Sequence, residues 1–173
     1  MSDILASLKP YFDEISEHEE EKLDELHAIF QEHFLDNSFH LNGKLVVVKR
    51  HPYNPGKDGL PDHFAHYFEK FVHVVTRTID NKKRGVKERE FRPERANRIH
   101  WIKSVLEYCN DPRISTFRFL ENDGSVRDYF WYKEKDFMVV LEEVLPDYYL
   151  ITGFCVDRQN FKYYLRKEAN CLK

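Results

Sequence analysis

The chain is predicted to be an α+β domain in which N-terminal helices pack on a C-terminal four-stranded antiparallel sheet. Three observations point there. Helix-length periodicity dominates up to about residue 110, whereas from Ile114 onward short β-rich runs are separated by turn signals. A length of 173 residues, with 33% charged and 42% apolar side chains, is that of one folded unit with a single core. The expected organisation is a single domain spanning 1–173. It comprises an acidic helical segment at 1–36, a hairpin and loop at 37–61, two central helices at 62–110, an antiparallel meander at 113–157 and a C-terminal element at 158–173.

Residues 3–36 read as helix, because Phe12, Ile15, Leu23, Leu26, Ile29, Phe30 and Phe34 make an interrupted apolar stripe with an acidic exterior; Pro10 marks a break. Phe39 to Leu41, Asn42-Gly43 and Lys44 to Lys49 form a predicted hairpin with LVVV as a buried strand, since Asn-Gly favours a tight turn with positive φ. RHPYNPGKDGLP at 50–61 holds three prolines and two glycines and reads as a loop, after which Asp62 is placed to cap a helix.

Two central helical patterns follow. In HFAHYFEKFVHVVTR, a step of about 100° per residue places Phe64, Phe68, Phe71, Val72 and Val75 on one face and His66, Lys70, His73 and Arg77 opposite. In RPERANRIHWIKSVLEYC, Ile99, Ile102, Val105, Leu106 and Cys109 share a face, with Asn97, His100, Ser104 and Glu107 opposite. Arg95 and Arg98 land on the apolar side, where a guanidinium that cannot lose its proton must meet a carboxylate, carbonyls or an anionic ligand. The linker TIDNKKRGVKEREF is expected to be an exposed, mobile connection suited to gripping a substrate. Pro93 fits the first turn of the second helix, whose free amides and dipole, near Arg92, Arg95 and Arg98, make a natural anion site. Beyond Asp111-Pro112 the runs ISTFRFL, VRDYFWY, FMVVLEEV and YYLITGFCV are strands, separated by Asn122-Asp123-Gly124, by 133–136 and by Pro146-Asp147. Residues 158–168 are an amphipathic element with Phe161, Tyr164 and Leu165 inward.

No run reaches the roughly 18 apolar residues of a membrane span, and the first residues lack the layout of a signal peptide, so the expected setting is cytoplasmic with no membrane partner. Cys109, Cys155 and Cys171 are odd in number and far apart, which suits reduced packing residues. Charge is segregated. Residues 1–36 hold eleven acids against two bases, and 77–103 hold ten bases against four acids. The basic stretch can attract phosphate. The acidic segment could cover it, recruit a basic partner or simply be a solvated helix face.

Glycine-rich phosphate loops, dinucleotide fingerprints, nucleophile elbows and metalloprotease helices are absent from the sequence. His66 with Glu69, or Glu69 with His73, has helix spacing that could share an ion, but two ligands do not make a site, and neither metal nor cofactor is expected. His73 is the candidate acid–base group, because Lys70 and Arg77 beside it would lower its pKa; a solvated face is the competing reading. For Arg95 and Arg98 the rival is a buried ion pair with an acid such as Glu142 or Glu94. Thr152 interrupts an apolar run on the same strand face as Leu150 and Phe154. Trp101 and Trp131 read as core.

Taken together, FVHVVTR, FRPERANRIHWI, RDYFWY, FMVVLEE and YYLITGFCVD, spread over residues 64–168, resemble the phage and mobile-element branch of the barnase, EndoU, colicin and RelE-like nuclease superfamily. The resemblance implies helices preceding a four-stranded antiparallel sheet and metal-independent RNA cleavage of toxin type, with RNA and a cognate inhibitor or antitoxin as partners. Carried over by position, it implies catalytic roles for His73, Arg95, Arg98 and Thr152. Where relatives commonly have Thr-Ala-Tyr or Thr-Ala-Phe, this chain has Thr152-Gly153-Phe154. Lys70, Arg77, Arg92 and Tyr132 are the expected RNA contacts, by charge for the first three and by base stacking for Tyr132, a role that Trp131 or Tyr129 could also fill. The alternative is a non-catalytic module that binds nucleic acid or protein through the same basic centre.

Overall fold

The computed structural model describes residues 2–173, which divide into two compact units: one of 2–8, 38–47 and 101–173, the other of 9–37 and 48–100. Among the described residues no helix is long and apolar enough to cross a membrane.

The first unit is built on a sheet. Strands β1 (His40–Leu41) and β2 (Lys44–Val47) form the hairpin expected around Asn42-Gly43, where φ is +51° and +76°, as a two-residue turn between right-twisted strands requires. Strands β5 (Ile114–Leu120), β6 (Val126–Tyr132), β7 (Phe137–Val144) and β8 (Asp147–Cys155) form the antiparallel meander. The two pieces join, because β2 pairs parallel with β8 through Val46–Tyr148 and Val47–Tyr149. The result is one six-stranded mixed sheet in the order β1-β2-β8-β7-β6-β5. This overturns the expected fold of N-terminal helices on a four-stranded antiparallel sheet. The physical reason is that β2 has two edges, and its second partner lies about a hundred residues downstream, where local periodicity carries no signal.

One face of the meander carries Phe117, Tyr129, Trp131, Met138, Val140 and Phe154, covered by Phe161 and Tyr164 of helix α6 (Arg158–Ala169). Helix α6 is capped by Asp157, whose carboxylate accepts from the Asn160 amide at 2.8 Å. Leu165 is exposed rather than inward, and Lys167 occupies the covered position three residues beyond Tyr164. Its ammonium donates to both Glu121 oxygens (2.8 and 2.7 Å) and to Tyr129 Oη (2.8 Å). On the other face Trp101 and Ile102 of helix α5 (Trp101–Glu107) meet Phe137 and Gly153. A Cβ built on Gly153 would lie 2.7 Å from Ile102 Cγ1, which accounts for glycine at this position. Both tryptophans are buried. Helix α1 (Ile4–Ser7), capped by Asp3, completes this unit.

The second unit is built on helix α2 (Glu20–Gln31), continued by a π-helical turn at Glu32–Asp36, and helix α3 (Glu69–Val75). Leu23, Leu26 and Phe30 are fully buried, with the Phe30 ring 5.8 Å from that of Phe71. The acidic segment therefore contributes core to its unit. Helix occupies far less of 3–36 than expected, since nothing between Leu8 and His18 is helical.

The first central pattern is likewise not one helix. Residues Asp62–His66 form a 3-10 turn, α3 starts only after an extended Phe68, and Thr76 opens a strand. The β-branched run around Val74 to Ile79 explains the switch, because such side chains lose rotamer freedom in a helix and pack well on a pleated surface. Strands β3 (Thr76–Asn81) and β4 (Val86–Phe91) pair from Thr76–Phe91 to Asn81–Val86, so the expected loop is a hairpin. The second pattern is interrupted too, into α4 (Pro93–Ala96) and α5, which fall in different units. Pro93 does open α4, but a single turn supports no N-terminal anion site.

Candidate functional site

His73 sits in the last turn of α3, where the helix hands over to β3. Thr76 secures that junction, its hydroxyl donating to the Val72 carbonyl at 2.6 Å. Arg89 of β4 then clasps it from across the hairpin: Nε donates to Thr76 Oγ1 (2.7 Å), Nη1 to Thr78 Oγ1 (3.0 Å) and Nη2 to the His73 carbonyl (3.3 Å). These bonds satisfy a carbonyl that the helix end would otherwise leave without a partner.

The proline-rich loop closes over the same place. The Glu69 amide donates to the His51 carbonyl (2.7 Å), the Tyr53 amide to the Tyr67 carbonyl (3.0 Å) and the Arg89 amide to the Asp58 carbonyl (2.9 Å). Thus anchored, Tyr53 is buried, its hydroxyl donating to the Asp58 carboxylate and its ring edge-on to His73 at 6.4 Å. Tyr53, Asp58, Glu69, Lys70, His73 and Arg89 form one electrostatic cluster.

Burial holds the half-buried His73 imidazole below its ordinary pKa, and the Arg89 and Lys70 cations push it the same way against Glu69 and Asp58. It is therefore a neutral base at pH 7. Burial, aided by the Asp58 bond, raises the Tyr53 phenol, which stays protonated. Burial also draws Arg89 downward, yet a guanidinium keeps its proton in any protein setting.

Of the residues the sequence singled out, Lys70 and His73 are brought together here. Arg77 pairs across the hairpin with Glu90, on the ribbon face opposite Arg89, and is exposed; Arg89, not Arg77, is the second cation acting on His73. Arg92 is held by Glu94 (2.8 Å) and Glu90 (3.1 Å). Arg95 Nη1 donates to the Thr76 carbonyl (3.1 Å), which ties it to the clasped junction, and Arg98 Nη1 donates to the Glu94 carbonyl (2.8 Å).

Tyr132 and Thr152 belong to the sheet unit. The Tyr132 ring is fully buried and offers no face to a base. Thr152 lies opposite Val140, and a bulge between Val140 and Leu141 sets Leu150 opposite Leu141. Thr152 consequently shares a face with Phe154 but not with Leu150.

Tyr53, Asp58 and Arg89 were missed in the sequence. Arg89 looked like one of many charges in a linker. Only a period-2 reading of residues 76–91, which places Thr76, Thr78, Arg89 and Phe91 on one face, would have singled it out. Among the described residues no three His, Cys, Asp or Glu side chains converge as a metal-binding group. Compared with models of known families, with curated proteins and with solved structures, the chain matches none.

Proposed function

We propose that the chain is a metal-independent endoribonuclease of toxin type. Its work would be attack of a ribose 2′-hydroxyl on the adjacent 3′-phosphate. The observation that supports this is a half-buried imidazole kept neutral in one cluster with the Arg89 and Lys70 cations. The ring of His73 accepts the 2′-hydroxyl proton, the O2′–P bond forms, the P–O5′ bond breaks, and the departing oxygen takes a proton from solvent, leaving a 2′,3′-cyclic phosphate. Lys70 and the two N–H groups of Arg89 not used in the clasp offset charge gathering on phosphorus. Arg95, one bond from Thr76, holds the junction in place. Thr152, Tyr132 and Arg98 have no part in this scheme.

A second reading has its own support. All three guanidinium nitrogens of Arg89 already donate internally, as they would in a structural staple of a non-catalytic binding module. Incubation with bulk RNA in EDTA separates the two. Cleavage with cyclic phosphate ends, lowered roughly a hundred- to ten-thousandfold by His73→Ala with RNA binding retained, is expected of the enzyme. Undiminished cleavage by the variant, 3′-hydroxyl ends, or activity that needs added magnesium would overturn it.

A further inference from the structure

Beyond Arg89, the β3–β4 hairpin carries a basic stretch that the cluster does not use. Between residues 77 and 87 it carries Arg77, Lys82, Lys83, Arg84 and Lys87 against the single acid Asp80. Arg84 is paired with Glu88 at 2.9 Å. Lys82, Lys83 and Lys87 are exposed, and none meets a carboxylate at ion-pair distance among the described residues. Pairing of Thr78 with Arg89 and of Asp80 with Lys87 puts Lys87 on the same ribbon face as Arg89, with Asp80 the acid opposite it, and the exposed Lys82 and Lys83 follow at the tip of the hairpin. Six residues of strand span about 20 Å, a length over which a basic ribbon can meet several backbone phosphates.

We propose that this ribbon grips the phosphate backbone of a paired stem, so that the preferred substrate is an RNA in which an unpaired nucleotide at His73 adjoins a duplex. The inference rests on the ribonuclease reading. Its support is the side-chain chemistry of the arm: it has five cations but no aromatic residue between 77 and 87. Single-strand recognition relies on bases stacking on aromatic rings, whereas duplex RNA is held mainly through its backbone and shape. The cleaved nucleotide itself must be unpaired, because the 2′-oxygen, phosphorus and leaving oxygen come into line only outside an A-form helix.

The test uses full-length protein, a stem-loop RNA and a single-stranded RNA of equal length, in EDTA, with binding measured at several salt concentrations. The wild type should bind the stem-loop at least tenfold more tightly. Replacing Lys82, Lys83 and Lys87 together by Ala should abolish that preference and flatten the slope of log affinity against log salt by two to three, at about 0.9 for each phosphate no longer neutralised. Cleavage at saturating RNA should be unchanged. Equal binding of both RNAs by the wild type, unchanged stem-loop affinity in the triple variant, or stronger competition by polyglutamate than by duplex RNA would overturn the proposal. The two readings fail separately: stem-loop preference without cleavage removes the enzyme and leaves the grip, and cleavage without preference does the reverse.

Discussion

Acid should destabilise the helical unit through one histidine. His27 of α2 is 9% exposed, packed against Tyr67, Phe68 and Phe71, and its Nε2 accepts the Phe68 amide at 3.2 Å. That bond requires the neutral ring. Burial lowers the His27 pKa to about 4, with Asp24, which accepts from the Tyr67 hydroxyl at 2.8 Å, opposing the shift. The unfolded chain, at about 6.5, takes the proton more readily, so the contribution is complete above pH 6.5 and is lost as pH falls toward 4. From pH 7.5 to 5.0 the loss is about 2 kcal/mol, at roughly 1.4 kcal/mol per unit over about one and a half units. Urea unfolding followed by far-UV circular dichroism at both pH values, for wild type and His27→Gln, measures it. Glutamine keeps an acceptor near the Nε2 position and does not titrate, so the variant should lose about 2 kcal/mol less across this range. Equal losses in the two proteins, or an NMR titration placing His27 near its ordinary pKa, would refute the reasoning.

Gly153→Ala should cost about 1–3 kcal/mol by overpacking against Ile102, and Ile102→Val in the same chain should recover part of it; urea unfolding of the single and double variants checks both. Glu121→Ala strands the Lys167 ammonium, whose side chain is 8% exposed, and should destabilise by about 3–5 kcal/mol, whereas Lys167→Met should cost less because it removes the buried charge itself.

The limits of the sequence reading follow from particular residues. Patterns with a local cause were legible: the Asn42-Gly43 turn, the four strands of the meander and Pro93 opening a helix. What escaped depended on distant partners. The parallel partner of β2 is written nowhere near it, and the helical period read through Phe64 to Arg77 hid a β-branched stretch that finds its partner in 86–91. His73 and Lys70 were legible because they sit on one turn of one helix. Arg89, Tyr53 and Asp58 were not, since a hairpin and a folded loop bring them to His73 from 15 to 20 residues away in the chain.

The most direct measurement is the single-turnover rate of RNA cleavage in EDTA as a function of pH, for wild type and His73→Ala at saturating RNA. If His73 is the base, the wild-type rate should rise with pH and level off through an apparent pKa below 6.5, the direction in which burial, Arg89 and Lys70 move the imidazole. The variant should be slower by a hundredfold or more, about the low end for loss of such a base, and should lack that acid limb. A variant as fast as wild type, or one that keeps the same limb, would contradict His73 as the proton acceptor.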